Sequence, residues 1–261
     1  MAASGKYIVG TSGFSFADWV GPFYPPGAKP GDMFSQYVRH FGMVELNFTF
    51  YAMPGERTFA SLLQKSPPGF EFWIKVNRAI THEQKLAEID NFLPPVRLIR
   101  DAGKLAGLIL QFPQSFKRTV DNRKFLAAAI EGFGDAPLAV EFRDASWEHD
   151  STDDSLRDRR VALVVPDAPP IKGLFHHAPA ATSPIAYLRL HSRDASKWYA
   201  GEKERYDYNY SDQELRQIVD DWREVADQPG VEKVYTMFNN CHRAQAARNA
   251  EAFRRILGQI K

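Results

Sequence analysis

Leu105-Ala106-Gly107-Leu108-Ile109-Leu110 runs through six positions without one polar side chain. That is too apolar for a strand with one wet face. Strands buried on both faces look like this, and they belong to parallel sheets covered by crossover helices. Similar runs recur on either side of it. They are Tyr7–Gly10, Met43–Leu46, Phe70–Val76, Pro137–Glu141, Val161–Val165, Ile185–Leu190 and Val234–Phe238.

Helical stretches lie between the runs: Phe34–His40, Arg57–Lys65, Val96–Ala102, Arg123–Ile130, Thr152–Arg160, a segment from Ser211 to about Ala226, and Arg243–Leu257. Gly103 stands where a left-handed C-terminal cap belongs. Ser211 with Glu214 three residues on has the spacing of a capping box. Eight strands alternate with helices at the repeat length of a βαβ unit. The pattern predicts one domain over residues 1–261, an α/β fold of the TIM-type (β/α)8 barrel class. An open doubly wound sheet is the structural alternative, but Gly10-Thr11-Ser12-Gly13 is too short and wrongly spaced for its phosphate-binding turn. Two long connections stand out, Ser12–Asp32 and Pro166–Pro184, the second in place of an expected helix.

Lys and Arg total 33 against 32 Asp and Glu, for a net charge of +1. Bulk charge therefore gives no footing for coating nucleic acid or membrane, though a local basic patch stays open. The single cysteine, Cys241, can form no intramolecular disulfide and no cysteine-based zinc site. Met1–Lys6 lacks the pattern of a signal peptide, and no apolar run approaches membrane-spanning length. The expectation is a cytoplasmic protein with no membrane partner.

A barrel of this class carries its site at the carboxyl ends of its strands. Polar residues gather there: Thr11 and Ser12, Glu45 and Asn47, Lys75 and Asn77, Gln111, Glu141 and Arg143, Asp167, Arg189, His191 and Arg193, then Asn239 and Asn240. Alternation points Glu141 and Arg143 one way, and likewise Arg189, His191 and Arg193. Charges aimed at one mouth need each other or a ligand. Lys75, Arg143, Arg189 and Arg193 suggest an anion, because guanidinium forks match carboxylate and phosphate oxygens. The bland reading pairs them with Glu45, Glu141 and Asp167 in a network closing the barrel top. His191, with Glu141 and Glu45 beside it, is the candidate for proton transfer. His82 could reach the mouth or serve as a surface or capping histidine. A divalent metal on Glu141, Asp167 and His191 is conceivable but not preferred, since no ligand-spacing motif appears. Trp198 to Tyr210, with Tyr206 at its centre, reads as a lid or binding segment.

Several of these segments also carry a resemblance. Gly10-Thr11-Ser12-Gly13-Phe14 with Trp19-Val20-Gly21-Pro22-Phe23-Tyr24-Pro25, Val44–Tyr51, Lys75 with Thr81-His82, Leu110–Pro113, Val140–Arg143 with Ser146-Trp147, Arg189-Leu190-His191, Arg205–Tyr208 and Phe238-Asn239-Asn240 with Ala246-Ala247 and Asn249-Ala250 resemble the YecE-like family, also called domain of unknown function 72. The match runs in order along nearly the whole chain. It implies an eight-stranded β/α barrel and names no reaction. Where the family reads His-Gly-Arg after strand seven, this chain has Ser192 in place of the glycine.

Three functions follow as expectations. The first is an enzyme (a hydrolase, isomerase or lyase) acting on a small phosphorylated or carboxylated molecule. Lys75, Arg143 and Arg189 would hold the anion, His191 and Glu141 would move protons, and Asn47, Gln111, Asn239 and Asn240 would orient the substrate. The second is a nucleic-acid-acting phosphodiesterase or repair-type barrel, gripping a strand through Trp198–Tyr210. The third is a non-catalytic anion-binding or regulatory protein. Fold alone cannot separate them.

Overall fold

Eight parallel strands form a single sheet that curls back on itself. In this computed structural model, which describes residues 3–260, they are β1 (Tyr7–Thr11), β2 (Met43–Leu46), β3 (Glu71–Lys75), β4 (Leu105–Gln111), β5 (Leu138–Glu141), β6 (Ala162–Asp167), β7 (Ile185–Leu190) and β8 (Lys233–Phe238). Their order is β1-β8-β7-β6-β5-β4-β3-β2. A parallel bridge between Ser12 and Glu45 closes the remaining seam, and the Gly13 amide donates to the Glu45 carbonyl at 2.8 Å. The expected barrel is therefore present, with each strand within two residues of its predicted bounds.

The apolar residues divide into two compartments. Inside the barrel lie Met43, Trp73, Ala106, Ile109, Ala139, Ala162, Val164, Tyr187, Tyr235 and Met237. A larger shell packs the outer strand faces against the helices. Trp73 crosses the interior edge-on to Tyr187 and Tyr235, with ring centroids 4.8 and 5.2 Å away. Gly107 makes room for it. A Cβ there would lie 2.5 Å from the Trp73 ring and 2.8 Å from the Pro137 carbonyl oxygen.

Local chemistry explains the helix ends. Ser211 Oγ accepts from the Glu214 amide, and Glu214 Oε2 accepts from the Ser211 amide at 2.8 Å, so the helix Asp212–Asp227 starts on a full capping box. Gly103, at φ +67, ends the helix Ile89–Asp101. That helix begins seven residues before the predicted Val96, because Pro94 and Pro95 sit inside it and a proline pair reads as a break. The first helix, Pro30–Tyr37, likewise starts earlier than predicted, with proline at its first position. No helix joins β6 to β7, as the sequence suggests. No helix among the described residues is long and apolar enough to cross a membrane.

The long connection after β1 packs its aromatic side chains inward. Trp19 and Tyr24 are fully buried, and Trp19 Nε1 donates to the Cys241 carbonyl at 2.6 Å, pinning the segment over the β1–β8 end of the barrel.

Candidate active site at the barrel mouth

The site is built in layers above Tyr187. Its hydroxyl donates to Glu45 Oε2 at 2.7 Å. Arg189, two residues further along β7, lies fully buried in the layer above. It reaches across the barrel and donates from Nε and Nη2 to Glu45 at 3.0 and 2.6 Å, and from Nη1 to Glu141 Oε2 at 2.5 Å. Glu141 Oε1 in turn accepts from Arg143 Nη2 at 2.7 Å and meets His191 Nε2 at 3.1 Å. His191 Nδ1 faces Asn239 Nδ2 at 2.9 Å. A carboxylate on one side and an amide N–H on the other assign His191 as the neutral tautomer protonated on Nε2.

These contacts set the protonation states. Burial alone would raise both carboxyls. For Glu45 the Arg189 charge more than offsets it, and for Glu141 the Arg143 and Arg189 charges do so, leaving both ionised with pKa values below the usual range. Burial, helped by Arg143, pushes His191 down to about 3, so it stays neutral at physiological pH. Lys75 is brought down to about 7, first by burial and then by the Arg189 charge, against the pull of Glu141 and Glu45. His82 is lowered to about 4 by burial and by Lys75.

Lys75 stands apart from the network. Its Nζ lies 4.1 Å from the Phe50 ring centroid. Among the described residues neither a carboxylate nor a carbonyl accepts from it. It looks into a cleft of about 600 Å³, lined with Ser12, Phe16, Asn47, Tyr51, Arg189, Tyr206, Asn239 and Cys241. That volume suits a small molecule. Asn47 Oδ1 is a buried acceptor here with no hydrogen-bond partner.

The sequence-selected residues thus separate into two groups. Glu45, Lys75, Glu141, Arg143, Arg189, His191, Asn47, Asn239 and Tyr206 meet at the mouth, and His82 flanks Phe50 at a centroid distance of 4.9 Å. The others are engaged elsewhere. Arg193 grips Asp167 from Nε and Nη2 at 3.0 and 2.6 Å, and Asp167 also accepts from the Tyr210 hydroxyl. The trio Glu141, Asp167 and His191 is consequently not assembled, and among the described residues no three His, Cys, Asp or Glu side chains converge as metal ligands. Gln111 Nε2 donates to the Phe112 carbonyl, and Asn240 ties Tyr208 to Asn249. Trp198, by contrast, is buried at the mouth, edge-on to His191 with the Arg143 guanidinium 5.7 Å from its ring centroid, and Arg205 Nε donates to its carbonyl. Two further residues belong to the site: Tyr187, two positions before Arg189 on β7, is held by its hydrogen bond to Glu45 and its contact with Trp73, and Phe50, just after β2, lies under Lys75.

A protein-family model described as "Protein of unknown function DUF72" matches residues 8–261. The UPF0759 protein YunF of Bacillus subtilis (strain 168) is 27% identical over 95% of this chain and 94% of its own. A crystal structure of a DUF72 family protein from Thermotoga maritima MSB8 superposes with a TM-score of 0.89 at 38% identity, covering 97% of this chain and 99% of that one. One from Enterococcus faecalis V583, at 24% identity over 98% and 96%, has a TM-score of 0.86 and shares the barrel. Matched from its first strand to its C-terminal helix, with the same barrel in its relatives, this chain belongs to the DUF72 family.

Proposed function

We propose that the chain is an enzyme that binds a small phosphorylated or carboxylated substrate at the carboxyl ends of its strands. The charge inventory of the mouth carries this reading. Lys75, Arg143 and Arg189 face Glu45 and Glu141 at the base of the mouth, one positive charge in excess when Lys75 is protonated, while Asp18 lies at the exposed rim of the cleft beside His242. Both carboxylates are fully engaged by arginines, His191 and Tyr187. The free donors are Arg143 Nε and Nη1 and Lys75 Nζ, for which no acceptor stands among the described residues. A desolvated excess cation beside a small-molecule cleft favours an anion.

Arg143 and Lys75 would hold the charged group, while Ser12, Asn47 and Asn239 would orient the rest. Arg189, Glu45 and Glu141 position the two cations. His191 has both ring nitrogens engaged, so in this geometry it positions Glu141 and Asn239 instead of relaying protons. A nucleic-acid grip through Trp198–Tyr210 draws less support, because Trp198 and Tyr210 are buried and leave Tyr199, 60% exposed, as the open ring of the segment.

Thermal unfolding of wild type and Arg143→Ala with panels of phosphorylated and carboxylated metabolites and short oligonucleotides tests this. A ligand at a hundredfold excess over Kd should stabilise wild type by about 2.7 kcal/mol and the variant far less. Binding without turnover would make the protein an anion-binding or regulatory one. No shift with any small anion would overturn the reading.

A further inference from the structure

We propose that Lys75 is a nucleophilic amine that forms an imine with the carbonyl carbon of a small oxo acid, an aldehyde or ketone bearing a carboxylate or phosphate. This rests on the anion-binding reading above and names the substrate class of the same site.

The geometry meets the requirements of that chemistry. A lysine attacks only as the free base, with its lone pair uncommitted. Lys75 Nζ packs on the Phe50 ring at the cleft wall, and the two carboxylates near enough to hold it as an ammonium are taken by Arg189 and Arg143. Burial and the Arg189 charge bring its pKa to about 7. About half the amine is then free at neutral pH, against under about a thousandth for an ordinary lysine. The second observation is Asn47 Oδ1, a buried acceptor in the same cleft with no partner. An unsatisfied acceptor of this kind is costly unless a ligand hydroxyl or amine donates to it.

In the reaction the Nζ lone pair adds to the carbonyl carbon as the C=O π pair moves to oxygen. Nitrogen releases a proton and oxygen takes one up, giving a carbinolamine whose hydroxyl can donate to Asn47 Oδ1 once that side chain turns into the cleft. A further proton on that hydroxyl lets it leave as water while the nitrogen lone pair closes the C=N bond. The protonated imine carries one positive charge, as the ammonium does, so the electrostatic balance with Glu45 and Glu141 is kept. No oxidant or reductant enters. Arg143, close enough for its charge to act on Lys75, would hold the acid group.

Reductive trapping on the full-length protein provides the test. The protein is incubated near neutral pH with pyruvate, glyoxylate or glycolaldehyde phosphate and cyanoborohydride, which adds hydride to the imine carbon. Peptide mapping then gives the rate of secondary-amine formation at each lysine. Lys75 is expected to react about tenfold or more faster than any other lysine, with a rate that climbs between about pH 6 and about pH 8. Label distributed over surface lysines, with Lys75 no faster for all three probes, would overturn the proposal. Lactate, which has the carboxylate of pyruvate but no carbonyl, separates the two readings. A thermal shift with lactate and no preferential label at Lys75 leaves the anion site standing and removes the imine. Neither shift nor label removes both. Lys75→Arg should lose the trapped adduct while the remaining lysines are labelled as slowly as in wild type.

Discussion

Arg189 and Glu45 meet across the barrel: the guanidinium donates from Nε and Nη2 to both carboxylate oxygens, at 3.0 and 2.6 Å, from strands that are not neighbours in the sheet. With Glu141 as its second partner, Arg189 fastens β7 to β2 and β5 beneath the cleft. Arg189→Met would leave the buried Glu45 carboxylate without its cation and Glu141 with Arg143 alone. It should cost about 3–5 kcal/mol in urea denaturation. Combining it with Glu45→Gln should recover much of that loss, because Glu141 keeps Arg143 and no buried carboxylate is left without a cation. An equal loss in the double variant would contradict this account.

Lys75 should behave in the opposite way. Its pKa falls from 10.5 to about 7 on folding, so the fold disfavours the ammonium. Below pH 7 folded and unfolded chains both carry the proton, and the cost is fully present. Between about 7 and 10.5 the unfolded state binds more protons, and stability rises with pH. Lys75→Met should therefore stabilise the protein by about 1–3 kcal/mol at neutral pH. The gain should shrink as pH rises through that window, as followed by denaturation at a series of pH values.

His191 is lowered to about 3 by burial and Arg143. Its folded pKa lies below its unfolded one, so it weakens the fold as pH drops from about 6.5 toward 3, where only the unfolded chain takes the proton. Nitrogen NMR should show its imidazole neutral and protonated on Nε2 from about pH 8 to about pH 4. Titration near neutrality would restore His191 as a proton carrier.

Gly107 is a steric prediction. With Trp73 and the Pro137 carbonyl inside contact distance of any Cβ, Gly107→Ala should cost about 1–3 kcal/mol by overpacking the barrel interior. Gly42→Ala, where a Cβ meets nothing within 4 Å, is the control and should change stability by about 1 kcal/mol or less.

The barrel was legible because its signal is local. An apolar run such as Leu105–Leu110, or a box such as Ser211 with Glu214, declares its element without reference to the rest of the chain. Strand periodicity also put Glu45, Lys75, Glu141, Arg143, Arg189 and His191 near one mouth. The helix predicted from Val96 begins seven residues earlier, with Pro94 and Pro95 inside it.

What periodicity does not contain is height and azimuth inside a closed barrel. Arg189 and Arg193 share one strand direction, yet Arg189 enters the interior while Arg193 lies beyond the strand end and closes on Asp167 and Tyr210. His191, chosen for its intrinsic pKa, is kept neutral by burial and by the Arg143 charge, against the pull of Glu141. Amino-acid order determined that eight strands would carry cations and carboxylates to one end. Only the tertiary structure decided which charges cancel and that Lys75 is left over, because pairing in a buried site depends on distances across the barrel that no single strand encodes.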